Sequence, residues 1–148
     1  MSFYNTSINN KPFYFEKRKY TYEYAKKNCA LKLKNGRLYE PKTWEESEKV
    51  FSCAYGIGRK LLWWIGVNDR QKEGRYVYDS DGSPVLFNPI WFKLGKAVHP
   101  RGKENNCMIM LEEHHFHKQS FPEKNLRWAD APCDPYNIKS SVCVTSDS

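Results

Sequence analysis

The sequence predicts an α+β domain in which helices come first and strands after. Three observations carry that prediction. Two capped amphipathic segments fall between residues 21 and 58, short apolar runs follow, and a long Gly/Pro-punctuated stretch divides those runs. With 148 residues the chain fits one ordinary domain and can bury a substantial core. Aromatics supply 16 % of it and mean hydropathy is −0.80, which suits large buried anchors under a polar, loop-rich surface.

Residues 1–12 are too polar for a signal peptide and read as a flexible leader, with the domain spanning 13–148. Asn5-Thr6-Ser7 within the leader is an N-glycosylation sequon. Phe13-Tyr14-Phe15 reads as a first strand, followed by the basic run Lys17-Arg18-Lys19. Thr21 can cap a helix, with Glu23 in the first turn and Tyr22, Ala25 and Cys29 on one face. Asn35-Gly36 closes that region as a turn.

Thr43 and Glu46 form a capping box after Pro41, and Ser47, Val50, Phe51 and Ala54 repeat at helical spacing until Gly56 and Gly58. Leu61 to Val67 reads as a buried strand. Arg75 to Tyr78 is a shorter one, closed by the Asp81-Gly82 turn. The stretch from there to Gly102 is irregular, with Leu86, Phe87, Ile90, Trp91, Phe92 and Leu94 as its large apolar residues. Strands resume at Cys107–Leu111, around Leu126–Trp128 and at Ser141–Val144.

Five cysteines, with no C-x-x-C pair, argue against zinc-ribbon and thioredoxin chemistry and for disulfides in an oxidising compartment. The odd one is either a free thiol or a link to another chain. No run approaches the roughly 20 apolar residues of a membrane span. The net charge of +7 favours anionic partners or serves solubility alone.

Trp64-Ile65-Gly66-Val67-Asn68-Asp69 and then Glu73-Gly74-Arg75-Tyr76-Val77-Tyr78 resemble the W-I-G-L/V signature and the E-G-x-aromatic-x-aromatic strand of the C-type-lectin-like domain family. Asp81-Gly82, Trp91, Cys107, Trp128-Ala129-Asp130, Cys133 and Val142-Cys143 follow in the family's order. The match runs from about Phe13 to Val144. It implies two helices with antiparallel sheets and a long irregular loop region. It also implies the pairs Cys29–Cys143 and Cys107–Cys133, leaving Cys53 unpaired or interchain, with a homodimer as the consequence of the latter.

In sugar-binding members of that family a loop calcium coordinates two sugar hydroxyls. Its ligands are a Glu-Pro-Asn or Gln-Pro-Asp tripeptide, an acid before the third-last cysteine, and the Asn-Asp of Trp-Asn-Asp. Here the tripeptide position reads His99-Pro100-Arg101, Trp128-Ala129-Asp130 keeps only the aspartate, and Glu104 and Asn105 are left to supply one oxygen between them. Calcium wants about 6–8 oxygens, so no loop calcium is expected and no cofactor is required. The resemblance also implies a possible auxiliary calcium site at Asp69 and Glu73, with Asn106 as a third candidate; the same acids can equally serve the turn and strand without metal.

Lys93, Lys96, Arg101 and Lys103 replace the loop site with positive charge, and a guanidinium fork suits sulfate, phosphate or carboxylate. Trp91, or Trp128 if exposed, offers a stacking face. The ligand face is therefore assigned to His99, Arg101, Lys103, Glu104, Asn105, Trp128 and Asp130. The implied function is a secreted, extracellular recognition module for carbohydrate or glycoprotein, acidic in character. The alternative is a calcium-independent protein-binding or assembly module with no sugar activity. His114, His115 and His117 could hold zinc or copper only with a further ligand from elsewhere. No nucleophile elbow, P-loop, dinucleotide fingerprint or H-E-x-x-H is present, so no enzyme is expected, and no nucleic-acid-binding signature appears.

Overall fold

The computed structural model describes residues 3–94, 97–100, 104–113 and 122–146. The expected elements appear in order, with further strands at Phe3–Ile8, Gly36–Leu38, Lys93–Leu94 and Ala97–Val98. Strands β1 (Phe3–Ile8) and β2 (Lys11–Tyr20) precede helix α1 (Tyr22–Lys32), strand β3 (Gly36–Leu38) and helix α2 (Trp44–Ile57). Then come β4 (Trp63–Asn68), β5 (Val77–Tyr78), β6 (Lys93–Leu94), β7 (Ala97–Val98), β8 (Cys107–Glu112), β9 (Leu126–Ala131) and β10 (Lys139–Thr145).

Both helix caps form as the sequence requires. The Thr21 hydroxyl accepts the Tyr24 N–H at 3.1 Å, and the Thr43 hydroxyl accepts the Glu46 N–H at 3.0 Å. The faces read from periodicity are the buried ones: Tyr22, Ala25 and Cys29 on α1, and Ser47, Val50, Phe51 and Ala54 on α2.

Residues 3–8 are not a leader. They pair with β2 from Phe3↔Glu16 to Ile8↔Lys11 across a turn at Asn9-Asn10, whose φ angles of 52° and 65° are the left-handed values a two-residue hairpin needs. Asparagine adopts that region through local side-chain hydrogen bonding. Asn5 is exposed on β1.

The main sheet runs β1-β2-β10-β4-β8-β9, with β3 on β10 and β5 on β4. It is not wholly antiparallel: β10 and β4 run parallel, Ser140↔Trp63 and Ser141↔Trp64. Strand alternation sorts the core into two layers. Phe13, Phe15, Trp63, Ile65, Met108, Met110, Leu126 and Trp128 meet Val50, Phe51 and Ala54 of α2. Tyr14, Trp64, Ile109 and Cys143 meet Tyr22, Ala25 and Cys29 of α1.

Two disulfides pin this arrangement. Cys29–Cys143 ties α1 to β10 across 114 residues, and Cys107–Cys133 ties the start of β8 to the segment after β9. Cys53 is the free cysteine, half-buried on α2, where burial pushes its thiol pKa up.

Gly66 explains the middle of the Trp64–Asp69 motif. Its N–H donates to the Tyr39 carbonyl at 2.7 Å, and a Cβ there would stand 2.9 Å from the Leu38 carbonyl and from Glu40 Cγ. Only glycine lets the chain between β3 and α2 lie that close. Glu40, 5 % exposed, is held in place by the Ser80 N–H and hydroxyl, at 2.8 and 2.9 Å.

Candidate functional site

The irregular lobe is fastened to the sheet through Trp128. Its N–H donates to the Ile90 carbonyl at 2.9 Å, and its carbonyl accepts the Phe92 N–H at 2.8 Å. The indole is fully buried and packs against Phe87, Trp44 and Trp91 with ring centroids 5.5, 6.2 and 6.4 Å away. That corrects its assignment to the ligand face. Leu126 and Trp128 alternate onto the α2 layer of β9, so this ring is core and offers no surface for stacking. Trp91 is half-buried.

Two residues on from Trp128, Asp130 is 3 % exposed and faces His99. His99 Nδ1 lies 2.6 Å from Asp130 Oδ1. A carboxylate accepts only, so Nδ1 carries the proton. The His99 backbone N–H donates to the Phe92 carbonyl at 3.1 Å, and its ring packs beside Phe92 at 5.8 Å. The imidazole therefore sits on the carboxylate that the family resemblance would give to a loop calcium. Nitrogen is a poor donor to a hard cation.

Asp69 lies next to that pair. It is 2 % exposed, and its Oδ2 accepts the Gly74 N–H at 2.9 Å. Burial first, and then the neighbouring Glu73 carboxyl within hydrogen-bonding reach, raise the Asp69 pKa to about 6. Asp130 adds to the same effect. Asn106 meets Asp69 through its backbone, whose carbonyl accepts the Asp69 N–H at 3.0 Å. The three residues named for an auxiliary calcium do come together. Among the described residues, however, no three His, Cys, Asp or Glu side chains gather as a metal cluster.

Glu104 is exposed and Asn105 half-buried. Among the described residues no hydrogen bond or ion pair joins either to His99 or Asp130. Lys96, Arg101, Lys103 and the three clustered histidines, His114, His115 and His117, lie outside the described residues. Lys93 is exposed, and its backbone N–H is fixed by Glu113 Oε1 at 2.8 Å.

Sequence reasoning placed His99 and Asp130 on one ligand face and did not foresee their direct contact. The signal was present: a basic residue replaces the first acid of the tripeptide while its partner aspartate is retained. It also missed a groove of about 370 Å³ between Gly74–Tyr76 and Pro84–Trp91. That groove needs residues 84–91 to fold back over the E-G-x-aromatic strand, a long-range event with no local signature.

A family model described as the lectin C-type domain matches residues 18–145. Among solved structures, the chain is similar to the mouse scavenger receptor C-type lectin carbohydrate-recognition domain, at 24 % identity and TM-score 0.68, over 97 % of this chain and 96 % of that one. Human lithostathine matches at 22 % identity and TM-score 0.70, over 97 % and 88 %. The C-type lectin domain of murine dendritic cell inhibitory receptor 2, solved in complex with N-glycan, matches at 17 % identity and TM-score 0.67, over 97 % and 96 %. At these identities the structural likeness carries the fold. No curated protein matches the chain by sequence.

Proposed function

Because the chain belongs to the C-type lectin domain family, we propose that it is an extracellular, non-enzymatic recognition module that binds acidic glycans on its long-loop face without a loop calcium. The observation that carries this reading is the His99–Asp130 contact at 2.6 Å. On this reading the His99 side chain engages the carboxylate that a divalent cation would otherwise share with sugar. Affinity must then come from the protein's own donors. Arg101 and Lys103 follow His99 closely in sequence and supply fixed positive charge suited to sulfate or carboxylate.

Two further observations fit. Relatives of the same fold include a carbohydrate-recognition domain and a domain solved with an N-glycan. Two disulfides suit an oxidising, extracellular setting, and among the described residues no helix is long and apolar enough to cross a membrane.

The double substitution Arg101→Ala with Lys103→Ala tests the loop assignment. We expect it to weaken binding of a sulfated or sialylated oligosaccharide by about tenfold or more at low salt, with an unchanged melting temperature. Titration calorimetry and a thermal melt read both. Unchanged affinity would remove these residues from the site.

One observation favours a second reading, a protein-binding module without sugar activity. Leu86 is 89 % exposed and Ile90 48 %, both on the lobe. Failure of every glycan to bind, with Leu86→Ser abolishing capture of a purified protein partner, would select it.

A further inference from the structure

We propose that the groove between Gly74–Tyr76 and Pro84–Trp91 is a subsite for an acidic pyranose, with the sugar ring against Trp91 and Tyr76 and its carboxylate on Arg75. This rests on the acidic-glycan reading above and adds a place and a contact set to it.

The groove is built before any ligand arrives. Strand residue Val77 bridges to Pro84, the Val85 N–H donates to the Tyr76 carbonyl at 3.0 Å, and the Tyr78 N–H donates to the Ser83 carbonyl at 2.8 Å. At the far end the Trp128 N–H holds the Ile90 carbonyl. Both walls are thus tied to the sheet, and little ordering remains to oppose binding. A volume of about 370 Å³ lies within the range of small-molecule sites.

Its lining has two characters. Tyr76 and Trp91, both half-buried, stand with ring centroids 5.3 Å apart and planes at 49°, giving an angled aromatic floor. Such a floor suits the C–H face of a pyranose.

The rim is polar. Arg75 and Asn88 are exposed, and among the described residues the Arg75 guanidinium has no ion-pair partner. The carboxylates of Asp69 and Asp130 lie buried, and His99 faces Asp130 as its counter-group. An exposed guanidinium beside an aromatic floor matches a ring that carries an acid group. Asn88 supplies an amide for neighbouring hydroxyls.

The test uses the whole ¹⁵N-labelled chain titrated with sialyllactose and with lactose. The indole N–H signals are followed, with Trp91 assigned through Trp91→Phe. Sialyllactose is expected to shift the Trp91 signal and to bind about tenfold more tightly than lactose. Arg75→Gln is expected to remove that advantage without moving the melting temperature, and Arg75→Lys to restore part of it. Equal binding of the two sugars by the wild-type protein overturns the acidic subsite. Sialyllactose binding that survives Arg75→Gln but not the Arg101/Lys103 double substitution overturns it too, while the acidic-glycan reading stands. If sialyllactose fails to bind but a heparin tetrasaccharide binds, only the subsite falls; if neither binds, both do.

Discussion

Cys29→Ser lowers the unfolding free energy by about 5 kcal/mol on the loop-entropy model, because the bond closes a loop across 114 residues. That is comparable to the whole stability of an ordinary domain, about 5–15 kcal/mol, so much of the protein should be unfolded at 37 °C. The partners are fully buried, and the bond joins the α1 layer of the core to β10, which lies between β2 and β4 in the sheet. Its loss frees both ends of the chain at once. Cys107→Ser opens a loop spanning only 26 residues and should cost about 3–4 kcal/mol. Urea midpoints followed by tryptophan fluorescence give both values. The expected order is wild type, then Cys107→Ser, then Cys29→Ser. A wild-type midpoint for either variant would refute its bond.

Trp128→Ala should cost about 3–5 kcal/mol, the usual range for deleting a fully buried large aromatic. The ring lies under three aromatic neighbours, and their contacts with it join α2, the irregular lobe and the sheet. The effect should therefore appear as a lower melting temperature with the lobe loosened. It should contrast with the Arg101/Lys103 substitution, which leaves melting alone and weakens ligand binding. Trp128→Phe should fall between, since a smaller ring keeps part of the packing. A Trp128→Ala protein that melts like wild type but loses ligand would return this residue to the ligand face.

What could be read directly from the chain follows a physical pattern. The helices were legible because caps and 3.6-residue periodicity are local: Thr21, Thr43 and the Val50-Phe51-Ala54 stripe suffice. The motif around Gly66 was legible through resemblance, and the structure supplies its cause in the close approach of the Leu38 and Tyr39 carbonyls. Strand β1 was not read, although Asn9-Asn10 is a turn signal, because the polar character of residues 1–12 suggested solvent. The parallel pairing of β10 with β4 joins segments far apart in sequence, and only the closed fold decides it.

The site divides in the same way. The grouping of Asp69 with Glu73, and of His99 with Asp130, was visible in the sequence. The direct His99–Asp130 contact was not, because the imidazole reaches Asp130 only after the chain crosses the lobe. Trp128 was misassigned because a tryptophan in a ligand motif reads equally as stacking face or anchor. Its place among Trp44, Phe87 and Trp91 decides for anchor.

A glycan array run in parallel with calcium and with a chelator puts the His99–Asp130 argument to its hardest test. Sulfated or sialylated glycans should bind to the same extent under both conditions and be lost as salt is raised. Glycan binding that disappears with the chelator would mean a metal ion bridges protein and sugar after all, and the account of the loop would be wrong.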